Sequence, residues 1–304
     1  MKWKKLGHVF VADHHSRWAQ WGAFLPTAEL QGDRIRVYVA MFDQDTVGRI
    51  GYVDVDAADP TKVLWVSPVP VLDIGPPGTF DDNGVTPASI VNYDGVKYLY
   101  YCGWQKGVKV RYYLFSGLAI SHDGGEYFHR SYEVPILDRR DSERFLRTAP
   151  SVIHDCGLWK MWYVAGDAWR KLHGKMVPTY KMRYIESEDG FVWRGSGAFC
   201  MEHWKSDEFG YGRPQVIKED GIYKMFYSIR YRSKGYRLGY AESKKGTTTW
   251  TRKDDQIGID VSETKWDSES LSFASIVDYE DKRYMFYNGS HGGSTGFGVA
   301  ELEE

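Results

Sequence analysis

The 304-residue chain has only three cysteines, Cys102, Cys156 and Cys200, far apart and without a Cys-x-x-Cys pair. That excludes a disulfide framework and a zinc site built on paired thiols, and the thiols are expected to be reduced. No run of 18 apolar residues occurs, and the basic start "MKWKKLGHVFVADHH" is not followed by an apolar segment of signal-peptide length. The expectation is a soluble, cytoplasmic protein with no membrane partner. No charge of one sign dominates either. With 39 basic and 41 acidic residues the formal net charge is -2, so no global field favours nucleic acid.

What the chain does have is a large apolar share, 42%, enough for a sizeable core, and an aromatic share of 16% with 12 Trp and 22 Tyr. Such an aromatic content suits sheets and sugar-stacking surfaces alike. Self-similarity is the informative signal. One pattern occurs five times: "LPTAELQGDRIRVYVAMF", "TPASIVNYDGVKYLYYCGW", "APSVIHDCGLWKMWYVAGD", "RPQVIKEDGIYKMFYSIR" and "FASIVDYEDKRYMFYNGS". Pro26, Pro87, Pro150, Pro214 and Ala274 are equivalent, at separations of 61, 63, 64 and 60 residues, and the residue 13 positions later is Val39, Tyr100, Tyr163, Tyr227 or Tyr287. Each copy reads as a short apolar strand, a polar turn and an alternating strand. The middle copies continue with a second hairpin, as in "YKMRYIESEDGFVW" and "YRLGYAESKKGTTTW".

Four short antiparallel strands repeated five times predict an all-β fold, a five-bladed β-propeller spanning residues 1–304 as a single domain. The last copy stops at "GFGVAELEE" without its fourth strand, and a matching strand stands at the other end as "WKKLGHVF". The N-terminal strand is therefore predicted to complete the last blade and cover its open edge.

Strand parity then separates two faces. One carries the tight A–B and C–D hairpins, such as Asp94-Gly95 and Asp189-Gly190, which are turn chemistry. The other gathers the segments ahead of the A strands and the B–C loops, and these hold the unusual residues. Asp82 and Glu269 each lie five residues ahead of their Pro87 or Ala274 station, and Asp43 lies in the blade-one B–C loop; these are the candidate catalytic carboxylates. Asp267 stands beside Glu269. Arg147, Arg213 and Arg230 face them as candidate anion-binding groups, and Trp104, Trp169 and Trp266 as candidate sugar-stacking rings. His14, His15 and His291 are candidate ligand contacts. His14-His15 lacks the spaced partners of a metal motif, and the glycines around His291 lack the strand-to-helix setting of a phosphate loop.

The repeat "P-x-x-I/V … Y-x-M-x-Y" resembles the furanosidase propellers, the arabinanase, β-xylosidase, levansucrase and invertase group of glycoside hydrolases, over nearly the whole chain. The segments "YRLGYAESKKG", "WDSES" and "YMFYNGSHGGSTGFG" are similar to uncharacterised relatives of that group associated with bacterial surface-polysaccharide gene clusters. The resemblance implies a carbohydrate-active protein using paired carboxylates as acid and base. The chain departs from it where the group carries its acids: Leu25, Ala149 and Arg213 precede the prolines of blades one, three and four, and Gly212 stands where a Glu would. Three readings follow. The first is hydrolysis of a glycosidic bond in an anionic or nucleotide-activated sugar by Asp43, Asp82 and Glu269. The second is a non-hydrolytic sugar-modifying enzyme. The third is a catalytically silent glycan-binding propeller. A small-molecule sugar or nucleotide sugar is the expected partner in the enzyme readings. No cofactor is expected, with an axial divalent cation left open.

Overall fold

Alternation of apolar and polar side chains, punctuated by turns, produces strands almost throughout the computed structural model, which describes residues 1–172, 174–201, 205–263 and 265–303. The first two strands are β1 (Trp3–Phe10) and β2 (Ala12–Ser16). Blade one follows as β3 (Ala19–Gln31), β4 (Arg34–Phe42), β5 (Gly48–Asp56) and β6 (Val63–Val66), with β2 hairpinned onto β3. Blade two is β7 (Val85–Tyr93), β8 (Val96–Lys106), β9 (Tyr112–Ser121) and β10 (His129–Arg130). Blade three is β11 (Arg147–Asp155), β12 (Leu158–Leu172), β13 (Lys175–Ser187) and β14 (Ala198–Phe199). Blade four is β15 (Glu208–Glu219), β16 (Ile222–Tyr231), β17 (Arg237–Ser243) and β18 (Thr251–Arg252). The last unit is β19 (Ser272–Tyr279), β20 (Lys282–Asn288) and β21 (Phe297–Leu302), and its fourth strand is β1, antiparallel to β21 with Trp3 opposite Leu302. No helix among the described residues is long and apolar enough to cross a membrane.

The inner strands β3, β7, β11, β15 and β19 touch in succession, and β19 returns to β3, so the ring closes. One hydrogen bond recurs between neighbours. The backbone N–H of Val152 donates to Ser89 Oγ at 3.1 Å, Val216 to Ser151 Oγ at 2.9 Å, Ile276 to Gln215 Oε1 at 2.5 Å and Ala28 to Ser275 Oγ at 2.9 Å. Each satisfies an inner-edge donor that a sandwich would leave to water. The five residues at the register position of Val39, Tyr100, Tyr163, Tyr227 and Tyr287 are all fully buried between blades.

Charges buried beside these cores are explained by a second repeat. Asp81, Glu143, Glu208 and Asp267, six or seven residues ahead of the Pro or Ala station, are each 1% exposed. Each meets a cation. In blade two Asp81 accepts from Arg130 Nε at 2.8 Å and Tyr101 OH at 2.9 Å. In blade three Glu143 is paired with Arg147 at 2.6 Å and accepts from Tyr163 OH at 2.6 Å. In blade four Glu208 takes two bonds from Arg252, at 2.8 and 3.0 Å. In the last blade Asp267 accepts from Lys5 Nζ at 2.6 Å and Tyr287 OH at 3.2 Å, and Lys5 belongs to β1. Two expected site residues, Arg147 and Asp267, are therefore spent inside blades, because a buried charge needs a close opposite charge.

Two outcomes test this arrangement. Lys5→Met strands the Asp267 carboxylate and should lower stability by about 3 kcal/mol, the low end for a broken buried pair because Lys5 is partly wet. It would be read as a lower urea midpoint at unchanged slope. Adding Asp267→Asn should restore more than half of the loss, and no recovery would mean that the pair does not hold β1. The second concerns blades four and five, where Glu219 is bonded by Arg283 Nη2 at 2.9 Å and by Lys224, and these cations hold its carboxyl down at about 2. A depressed folded value means the unfolded chain binds the proton first as pH falls. The contribution is whole above about pH 4.5 and disappears towards about pH 2. Glu219→Gln should be less stable near neutrality and show a shallower acid loss across that window in urea titrations.

Candidate functional site

Each inner strand enters the ring through an irregularity at its Pro or Ala station, where the register with its partner shifts. In four blades the residue just before that station takes a left-handed backbone: Leu25 (φ 59°), Ala149 (φ 52°), Arg213 (φ 25°) and Phe273 (φ 59°). Such backbones cost about 1–3 kcal/mol each for residues with a side chain, and concentrate where a fold must aim side chains at one place. Here the place is the axis. Leu25, Thr86, Ala149, Arg213 and Phe273, one from each blade, line a single cavity of about 110 Å³.

The rest of its wall is mainly aromatic, from Phe24, Trp104, Tyr112, Tyr180 and Tyr236, completed by Cys102, Leu114, Thr148, Val164 and Gly212. The rings brace one another edge to face. Trp104 meets Tyr112 at 5.1 Å between centroids, Tyr112 meets Trp169 at 6.0 Å, and Phe24 meets Phe273 at 5.1 Å. Trp104 donates to Thr86 Oγ1 at 3.2 Å, and the Tyr112 and Tyr180 hydroxyls lie 3.4 Å apart. Burial pushes the Tyr180 phenol well above its ordinary value and raises the Cys102 thiol, so both are neutral at physiological pH.

Arg213 lies across the axis. From blade four its Nη1 donates to the carbonyls of Phe273 and Ala274, both at 3.0 Å, and its Nη2 to Thr27 Oγ1 at 2.6 Å and the Ala88 carbonyl at 3.3 Å. Those acceptors belong to blades five, one and two, just past the stations that line the cavity. The guanidinium is thus the floor of the funnel. It is 2% exposed, its Nε–H has no acceptor, and burial pulls it down to about 10. Arg230 stands behind the wall, donating to the Pro178 carbonyl at 2.6 Å, with its guanidinium 4.8 Å from the Tyr180 ring centre and 4.3 Å from that of Phe209.

The remaining expected residues are elsewhere. Asp43 closes a turn: its Oδ1 accepts from the N–H groups of Asp45 and Val47, and Oδ2 pairs with Arg49 at 2.7 Å. Despite some desolvation, the Arg49 bond and the Val47 N–H hold it below the usual carboxylate range. Asp82 caps the turn of residues 78–82 by accepting from Gly78 N–H at 2.8 Å, while its Oδ1 is buried without a partner. Glu269 is 64% exposed and lies 3.4 Å from His291, which is 62% exposed. The three carboxylates hold separate local partners, and none of them lines the axial cavity. His14 and His15 are exposed on the β2 hairpin, His14 against Gln20 at 2.8 Å. Trp266 stacks on Tyr287 inside the last blade. Of the expected set, Arg213 and Trp104 line the cavity and Trp169 and Arg230 support its wall.

Among the described residues, no group of three or more His, Cys, Asp or Glu is placed to hold a metal ion. A larger cleft of about 470 Å³, with Glu242, Lys244, Lys245 and Lys253, lies by the C–D hairpin of blade four on the turn face, away from the convergence of stations. Residues the sequence reading missed are Phe24, Thr86, Cys102, Tyr112, Thr148, Tyr180, Tyr236 and Phe273. The signal for Thr86 and Phe273 was present, since they are the blade-two and blade-five equivalents of Leu25, Ala149 and Arg213.

No protein-family model matches the chain. Solved structures share its fold. A thermostable family-43 glycoside hydrolase superposes with a TM-score of 0.69 at 15% identity, covering 92% of this chain and 88% of its own. A glycosyl hydrolase from Bacteroides ovatus gives 0.70 at 16%, covering 94% and 85%. The Bombyx mori GH32 beta-fructofuranosidase BmSUC1 gives 0.63 at 14%, covering 98% of this chain and 61% of its own. The fold is that of the furanosidase-type propellers. By sequence, the uncharacterized proteins Rv1502 and MT1551, from Mycobacterium tuberculosis strains H37Rv and CDC 1551, are each 35% identical over 305 aligned positions and the full length of both chains. At that identity and coverage, the chain belongs to the family of these mycobacterial proteins.

Proposed function

We propose that the chain recognises the end of a carbohydrate in the axial cavity and does not cleave it with paired carboxylates. One observation carries this reading. All five blades aim the same station into the cavity, and among the described residues its lining is aromatic, aliphatic and cationic, without a carboxylate. Glycoside cleavage by the common routes needs two carboxyl groups astride the bond, about 5–5.5 Å apart for retention or about 6.5–9.5 Å for inversion. Asp43, Asp82 and Glu269 are each engaged locally, and the stations that the furanosidase resemblance marks for acids hold Leu25, Ala149 and Gly212 instead.

The lining suits a sugar in another way. Apolar ring faces stack on indole and phenol rings, and hydroxyls find the phenols of Tyr112, Tyr180 and Tyr236 and the Thr86 hydroxyl. A volume of about 110 Å³ equals the share of roughly three to four waters. It takes a terminal substituent and leaves the sugar ring at the mouth against Trp104 and Tyr112. A nucleotide-activated sugar would keep its base and diphosphate outside. The likeness to glycoside hydrolases supports carbohydrate as the ligand class by analogy of fold.

Titration with methyl glycosides and short oligosaccharides, followed by tryptophan fluorescence, should give a saturable change. Trp104→Ala should weaken binding about tenfold, the size of one lost stacking contact of about 1.5 kcal/mol. Asp82→Asn and Glu269→Gln should leave affinity within about two-fold, and aryl glycosides should remain intact. Turnover of an aryl glycoside that vanishes in Asp82→Asn or Glu269→Gln would replace this reading with a hydrolase.

A further inference from the structure

The arginines define the ligand more narrowly. Four of them are almost wholly buried: Arg36, Arg147, Arg213 and Arg230. Arg36 is held by Asp54 at 2.8 Å and Glu126 at 2.7 Å, and Arg147 by Glu143 at 2.6 Å. Arg213 and Arg230 have no carboxylate partner among the described residues, and these are the two at the axial funnel. Carbonyl and hydroxyl oxygens satisfy the Nη hydrogens of Arg213 but bring no formal charge, and its Nε–H has no acceptor among the described residues. A buried cation without a counter-charge is unfavourable, and a fold retains it where something else supplies the charge.

Resting on the sugar-recognition reading above, we propose that the ligand end entering the axial cavity carries a carboxylate, as in a uronic acid or another carboxylated sugar, and that Arg213 selects it. Three features fit that group. The cavity volume accommodates a carboxylate with its attached carbon. Its negative charge supplies what the guanidinium at the floor lacks among the described residues. The apolar walls of Leu25, Ala149, Leu114, Val164 and Phe273 keep water thin around the pair, so the attraction is weakly screened. Arg230, behind Tyr180, adds a second positive charge to the same wall.

The test compares three probes on the unaltered protein at fixed ionic strength: a methyl hexuronide, the corresponding uronamide, and the neutral methyl hexoside, by isothermal calorimetry. The amide keeps the shape, removes the charge and exchanges one acceptor oxygen for an NH2 donor. The uronide is expected to bind tighter than the amide by about tenfold or more. Equal binding of uronide and amide overturns the carboxylate assignment and leaves sugar recognition standing. No binding by any glycan, in a panel that includes oligosaccharides, overturns both. Arg213→Met should bring the uronide-to-amide affinity ratio close to one. Because Arg213 also links three blades, its melting curve is recorded alongside, and the uronide-to-amide ratio on the native chain decides if the variant does not fold.

Discussion

A buried carboxylate facing a cation inside each of blades two to five is the constraint on which the rest depends. Sheets that twist around an axis must hold their outer strands against the inner ones with little hydrogen-bonded length; β10, β14 and β18 are two residues long. Two-residue strands contribute few ladder bonds, so side chains must fix where they dock. Arg130 of β10, Arg252 of β18 and Lys5 of β1 do so by reaching back to acids at the start of the inner strand or just ahead of it. Desolvation limits what such pairs add to stability, but a buried charge tolerates only one position, so the pairs specify the docking geometry. In the last blade the same pair crosses from one end of the chain to the other. The acid ahead of a core strand, which looks like a functional carboxylate in the sequence, is thus the fastener of its blade.

The fold was legible because its signals are local and repeated. A period near 61 residues, hairpin turns and a terminal strand missing at one end and present at the other suffice to place β1 against β21. The acids were not legible, for a geometric reason. Asp81 and Asp82 are neighbours, as are the positions around Asp267 and Glu269, and one residue decides whether a side chain turns under the blade or out to the loop. Alignment on the residue five before the station picked Asp82 and Glu269; the repeated acids sit one or two positions further back, in four of the five copies. Arg147 was misplaced for a related cause: its partner Glu143 lies four residues earlier, and nothing in the spacing says that both turn inward.

The cavity was half legible. Arg213 was recognisable because it stands beside a proline on the loop-rich face, and Trp104 because it falls in the segment "GWQKG" after a B strand. Tyr112, Tyr180 and Tyr236 come from blades two, three and four and meet only after the ring has closed, so no linear pattern distinguishes them from the many tyrosines of the cores. Their role depends on the B–C loops and on the entry irregularities of the inner strands, where four side-chain-bearing residues hold left-handed backbones.

Those strained stations and Arg213 belong to one argument. The carbonyls of Phe273, Ala274 and Ala88 come together near the axis, and buried backbone acceptors need donors. Here a guanidinium from blade four supplies the donors, bonded to blades five, one and two, so the group that pins the axis also lines the cavity on which all five blades converge. The carbonyls favour a positive charge at that point, while burial opposes it strongly enough to draw the arginine down to about 10. It remains protonated near neutrality and is left uncompensated by any carboxylate among the described residues. A fold shared with glycoside hydrolases thereby carries, at its own axis, a guanidinium bonded only to neutral oxygens among the described residues.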